Sequence, residues 1–199
     1  MHGFNSGPAS VKGRELGKAI AALPEAARPE YFLPQLSHQP AEAMRTACRW
    51  VEAGDRDHLT FVGSSLGGFY ATHLAEMYGA GAVLINPAVH PDRDLAPYLG
   101  AQRNPFTGEA YELTAGHLAE LRTFKLARIA RPQRCLLLVQ TGDEVLDYRA
   151  AVAFYAGAWQ FVQGGGDHAF HDFAAQIPII LRFAGIDPPA VGRQRVGSA

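Results

Sequence analysis

Three short runs in this chain are apolar at nearly every position: Leu59-Thr60-Phe61-Val62, Ala82-Val83-Leu84-Ile85 and Cys135-Leu136-Leu137-Leu138-Val139-Gln140. Each is too short for a helix, and turn-forming residues follow: Gly63, Asn86-Pro87 and Thr141-Gly142. Side chains on a strand alternate between faces. A strand apolar on both faces must be covered on both faces, as in the interior of a parallel sheet sandwiched by helices. Helical patterns fall between the runs. Ser37 is a candidate cap for a helix with Ala43, Ala47, Trp50 and Val51 on its apolar face, ending at Gly54. Residues 68–78 read as a helix closed by Gly79, residues 148–155 as another, and residues 170–183 as a last one that Pro178 bends. Further strands are expected at 31–33, stopped by Pro34, and at 158–162. The alternation predicts an α/β fold with a mostly parallel sheet.

The chain has 199 residues, enough for one domain with a substantial core. We expect a compact domain over 1–186 and a flexible, Gly-rich, basic tail over 187–199. Residues 90–131 break the rhythm of strand and helix, with prolines and glycines and then a helical pattern at 118–129. That length exceeds a plain crossover, so it is expected to form a small lid-like insertion. Within it Tyr98, Leu99, Phe106 and Tyr111 could contact an apolar substrate or anchor the loop. A net charge of −1 gives no broad reason to expect nucleic acid or an anionic membrane as partner. No basic leader pattern and no long apolar span is present, so no membrane span is expected. Cys48 and Cys135 are far apart and read as two core thiols, which fits a cytoplasmic location.

The strand reading at 59–62 gives weight to Gly63-Ser64-Ser65-Leu66-Gly67. A G-x-S-x-G pattern between a strand and a helix is a nucleophile elbow: a sharp turn that exposes the serine hydroxyl beside backbone N–H groups. Ser65 has the right offset from both glycines, and Ser64 does not. A serine nucleophile needs a base, and the base needs an orienting acid. His168 follows the strand at 158–162 across the loop Gly164-Gly165-Gly166-Asp167 and is the expected base. His171 is the alternative, and His73 reads as structural. The acid should follow the strand at 135–140. Asp143 is nearest its end, Asp147 suits the cap of the next helix, and Glu144 is expected to face solvent. An oxyanion hole needs two N–H donors. The backbone N–H of Leu66 is one candidate. The other is Phe4, in the loop His2-Gly3-Phe4-Asn5-Ser6, where His2 is expected to orient or pack. His168 and His171 gain no third ligand at strong spacing, so no metal is expected.

Several blocks together resemble the YqiA-type bacterial esterases, a compact branch of the α/β-hydrolase superfamily. They are His2-Gly3-Phe4-Asn5-Ser6, Leu33-Pro34-Gln35-Leu36, the elbow with Gly68-Phe69-Tyr70-Ala71-Thr72, Asn86-Pro87-Ala88-Val89, Thr141-Gly142-Asp143-Glu144-Val145-Leu146-Asp147-Tyr148 and Gly166-Asp167-His168-Ala169-Phe170. The resemblance implies a three-layer α/β-hydrolase-like sandwich and the roles of nucleophile, acid and base for Ser65, Asp143 and His168. It implies an oxyanion loop at Gly3-Phe4, a carboxylic-ester or acyl-thioester substrate, and no cofactor. Where such esterases carry Gly-Gly-Asn-His, this chain has Asp167, whose side chain is expected to turn away from His168. They also carry an apolar strand directly ahead of His-Gly-Phe, and here only Met1 precedes His2. The sheet is therefore expected to lack the central strand before the oxyanion loop. Two functions follow as expectations: a serine esterase or thioesterase working through an acyl-enzyme, or a non-catalytic interaction domain that keeps the hydrolase fold.

Overall fold

The structure is a computed structural model that describes residues 1–54 and 57–187. Most of the tail expected at 187–199 lies outside the described residues. The first half of the chain forms α1 (Val11–Ala21), α2 (Pro40–Ala53), β1 (Thr60–Ser64), α3 (Leu66–Tyr78) and β2 (Gly81–Ile85). Then come α4 (Pro91–Asp94), β3 (Gly100–Arg103), β4 (Ala110–Leu113) and α5 (Ala115–Thr123). The chain continues through β5 (Cys135–Gln140), α6 (Tyr148–Phe154), β6 (Trp159–Gln163) and α7 (Ile177–Phe183). Four strands make one parallel sheet in the order β1-β2-β5-β6, and β3 pairs with β4 as an antiparallel hairpin.

The alternation expected of interior strands is visible in the core. Val83, Ile85, Leu136 and Leu138 face one layer, where Leu16 and Ile20 of α1 meet Phe173, Ile177, Ile180 and Leu181. Phe61, Ala82, Leu84, Leu137 and Val139 face the other, among side chains of α2, α3, α5 and α6. Leu84, Leu137 and Leu138 are fully buried, and each such side chain contributes roughly 1.5–3 kcal/mol. The result is a three-layer sandwich with its strand ends aimed at one edge. Among the described residues no helix is long and apolar enough to cross a membrane. Cys48 is half-buried, Cys135 is buried, and both are free thiols.

The far edge of β1 carries one residue where a strand would run. The Met1 amino group donates to Val62 O, and Ser64 N–H donates to Met1 O at 3.2 Å. Beyond Met1 lies a cavity of about 760 Å³, walled by Ile20, Phe32, Trp50, Phe61, Val62 and Ile180. The strand expected at 31–33 is absent. A strand needs a ladder partner, and the cavity separates this segment from β1. Its side chains anchor it instead: Phe32 stacks on Trp50 with ring centroids 4.7 Å apart, and Tyr31 OH donates to Gly13 O at 3.1 Å.

Other boundaries shift for local reasons. Ser37 does not cap α2; its Oγ accepts from Gln39 N–H, and the helix starts at Pro40, whose missing N–H suits a first turn. Pro178 likewise lies in the first turn of a short helix, α7, rather than bending a long one; residues 173–176 ahead of that helix form a tighter 3-10 turn. The helix expected at 118–129 is α5, set earlier by a Thr114–His117 capping box and ending at Thr123. The strand β6 is an edge, with Trp159 67% exposed. Neither α1 nor the β3–β4 hairpin within 90–131 was expected.

Candidate active site

Between the last residue of β1 and the first of α3 stands Ser65 alone. Its backbone is at φ 56° and ψ −125°, a left-handed region that costs a non-glycine residue on the order of 1–3 kcal/mol. The surroundings hold it there. Ser65 N–H donates to Ile85 O at 3.0 Å, and Ser65 O accepts from Gly68 N–H at 2.9 Å and Ala88 N–H at 3.1 Å. The flanking glycines are sterically required. A Cβ on Gly63 would stand 2.1 Å from Gly67 O, and one on Gly67 would stand 2.3 Å from Met1 O.

The turn aims Ser65 Oγ at His168 Nε2, 3.1 Å away. On the other side of the ring, His168 Nδ1–H donates to Asp143 at 2.8 Å to Oδ2 and 3.0 Å to Oδ1. The Asp143 side chain is 2% exposed, and its Oδ1 also accepts the N–H groups of Val145 at 2.9 Å and Leu146 at 2.8 Å. A carboxylate so held is an acceptor on Nδ1, which leaves Nε2 free to accept the serine proton.

The structure separates the remaining candidates. Asp147 caps α6, its Oδ1 accepting from Arg149 N–H at 3.0 Å. Glu144 is exposed, as expected, and in addition its Oε2 accepts the backbone N–H of His168 at 3.0 Å. His171 pairs with Asp167, and His73 Nδ1–H donates to Phe124 O at 2.8 Å. The hydrogen bond from His171 holds the Asp167 carboxyl below its usual range, and Asp167 turns to His171 rather than to His168. Lys12 of α1 donates from Nζ to Ala169 O at 2.6 Å, which fixes the loop just past His168.

The amino-terminal loop packs directly on the elbow. A Cβ on Gly3 would stand 3.1 Å from Ser65 Cβ and 3.5 Å from its Oγ. His2 is buried; its Nε2 accepts from Leu36 N–H at 2.9 Å and its Nδ1–H donates to Gly3 O at 3.1 Å. Burial lowers its pKa, so the ring is a neutral strut. The hairpin pins this loop from outside. Tyr111 OH donates to Asn5 Oδ1 at 2.8 Å, Asn5 Nδ2 donates to Gln102 Oε1 at 3.1 Å, and Asn104 Nδ2 donates to Ser6 O at 2.9 Å. Tyr111 is thus an anchor, whereas Tyr98 lies half-exposed against Phe4 with ring centroids 6.0 Å apart. Among the described residues the N–H groups of Phe4 and Leu66 have no hydrogen-bond partner, and no cluster of three or more His, Cys, Asp or Glu side chains could hold a metal ion.

A parallel sheet between helical layers, with a serine on a strained strand-to-helix turn, is the architecture of the α/β-hydrolase fold. Solved structures share it at low sequence identity. One is alpha/beta hydrolase domain-containing protein 10 from mouse, at TM-score 0.69 and 14% identity over 92% of this chain and 88% of that one. Another is the esterase domain of a Rhodothermus marinus protein, at TM-score 0.64 and 18% identity over 92% and 83%. Est1E from Butyrivibrio proteoclasticus matches at TM-score 0.61 and 14% identity over 92% and 86%. The chain belongs to the Uncharacterised protein family UPF0227, whose profile matches residues 1–185. A UPF0227 protein of Shewanella baltica is 23% identical over 188 residues, 92% of this chain and 96% of that protein.

Proposed function

We propose that this chain is a serine-dependent hydrolase of carboxylic esters or acyl thioesters that works through an acyl-enzyme. The observation that carries the reading is the continuous relay from Ser65 Oγ through His168 to a buried Asp143, with spacings of 3.1 and 2.8 Å. Ser65 Oγ attacks the acyl carbonyl while His168 Nε2 takes its proton. The charge that develops on the carbonyl oxygen meets the N–H groups of Phe4 and Leu66. Protonated His168 then gives its proton to the leaving alkoxide or thiolate. Water attacks the acyl-Ser65 ester with His168 as base, the C–O bond to Ser65 breaks, and the hydroxyl is restored. Throughout, Asp143 holds the ring and stabilises the imidazolium. The Rhodothermus marinus neighbour is named an esterase domain, which favours acyl chemistry.

In this reading residues 1–186 are the hydrolase domain and 90–131 a small lid-like insertion whose Tyr98 borders the oxyanion loop. The relay needs no cofactor. The free thiols Cys48 and Cys135 fit a reducing compartment such as the cytoplasm. Ser65→Ala is expected to abolish turnover of a short acyl ester with its unfolding midpoint nearly unchanged, while Ser64→Ala has little effect. Comparable turnover by the Ser65→Ala protein would sink the assignment. If a fluorophosphonate fails to label Ser65, the chain is a non-catalytic binding domain on a hydrolase scaffold.

A further inference from the structure

The main chain of His168 is gripped by two side chains that are neither serine, acid nor base. Its N–H donates to Glu144 Oε2 at 3.0 Å. Its C=O accepts from Asn86 Nδ2 at 3.3 Å, and the same amide donates to Asp167 O at 2.9 Å. Asn86 Oδ1 accepts from Gln140 N–H at 3.0 Å, so the amide cannot flip without losing these bonds.

Both residues sit where the two halves of the site meet. Asn86 directly follows β2. It is 2% exposed and has φ +40°, a conformation that Asn tolerates better than most residues. Its neighbours on either side are tied to the elbow, since Ile85 O accepts from Ser65 N–H and Ala88 N–H donates to Ser65 O. Asn86 therefore spans from the serine turn to the histidine loop. Glu144 directly follows Asp143 and spans from the acid loop to the same peptide. Between those two loops Thr141 N–H donates to Gln163 O at 2.9 Å and Gly142 N–H donates to Gly165 O at 2.8 Å. Asp167 N–H also donates to Gln140 Oε1 at 2.9 Å. Acid and base thus form one laced unit, and Asn86 registers that unit against the serine.

Resting on the serine-hydrolase reading above, we infer that Asn86 and Glu144 are positioning residues that hold His168 by its carbonyl and its amide and so set the distance from Nε2 to Ser65 Oγ. A misplacement of about 1 Å at such a contact can lower rate by about 100-fold.

The test compares variants that keep or remove single hydrogen bonds. Glu144→Gln keeps an acceptor and loses the charge; Glu144→Ala loses the acceptor at an exposed position. Asn86→Asp keeps the acceptor for Gln140 N–H and loses the donor to the histidine loop. With p-nitrophenyl acetate, Glu144→Ala and Asn86→Asp are expected to lower kcat by about 10- to 100-fold with KM nearly unchanged. Glu144→Gln is expected to restore kcat to within about threefold of the parent, with the pH midpoint of kcat unmoved. Parental kcat in Glu144→Ala, or equal loss in Glu144→Gln and Glu144→Ala, overturns the inference. Ser65→Ala in the same series separates the two claims: turnover that survives it defeats the hydrolase reading, whereas Ser65-dependent turnover indifferent to Glu144→Ala defeats only the positioning. A crystal structure of Glu144→Ala decides the geometry independently of turnover. Nε2 drawn beyond about 3.5 Å from Ser65 Oγ supports the inference, and an unmoved ring overturns it.

Discussion

Asp143 and Asp147 are four residues apart on one loop and do different work. Asp143 is buried and receives His168 together with two backbone N–H groups. Asp147 is exposed and receives only the first turn of α6. Asp143→Asn turns an acceptor toward Nδ1 into an amide that favours the wrong tautomer, so turnover should fall by about 10⁴-fold. Asp147→Asn keeps a capping side chain and should change turnover little. Kinetics of the two variants check this, and greater damage from Asp147→Asn without unfolding would exchange their roles. Ser65, Asp143 and His168 were legible because each falls just past an expected strand, and such sheets gather their chemistry at that edge. Asn86, Gln140 and Glu144 were not. Their bonds join loops 24 to 82 residues apart, and no local pattern in sequence encodes that register. The one available signal was a polar residue at the end of a wholly apolar strand, as at Asn86 and Gln140.

At the scale of elements, the interior strands were legible because covering both faces leaves a uniform apolar run. Periodicity says nothing about which neighbour a strand will find, and the segment 31–33 shows the consequence. It has strand-like residues but no backbone to pair with across the cavity. In α1, Gly13 and Gly17 interrupt the helical signal, yet Tyr31 and Leu33 pack into the space those glycines leave, so the helix is set by tertiary contacts. We expect about five to seven apolar, β-prone residues added ahead of His2 to run beside β1 and fill the cavity. Stability and turnover should rise together, because the added strand would also hold Phe4 N–H in place. One lost oxyanion donor costs roughly 3 kcal/mol of transition-state stabilisation. Unfolding midpoints and turnover of the extended and present chains check this; equal values would mean the cavity is not a strand site.

At the scale of the whole molecule, the buried His2 ring couples folding to pH. Burial lowers the His2 pKa from 6.5. A base with a depressed folded pKa binds more protons in the unfolded chain, so stability should rise with pH up to about the ordinary histidine range and be lost as pH falls below it. Denaturant unfolding at several pH values measures the slope. His2→Gln should flatten it by removing the titrating ring; an unchanged slope would overturn the assignment to His2. The same burial has a practical side. Residues fused ahead of Met1 would enter the cavity between β1 and the stacked rings of Phe32 and Trp50. An affinity tag at this end is therefore a change to the interior of the sheet, and its sequence would be read out in both folding and turnover.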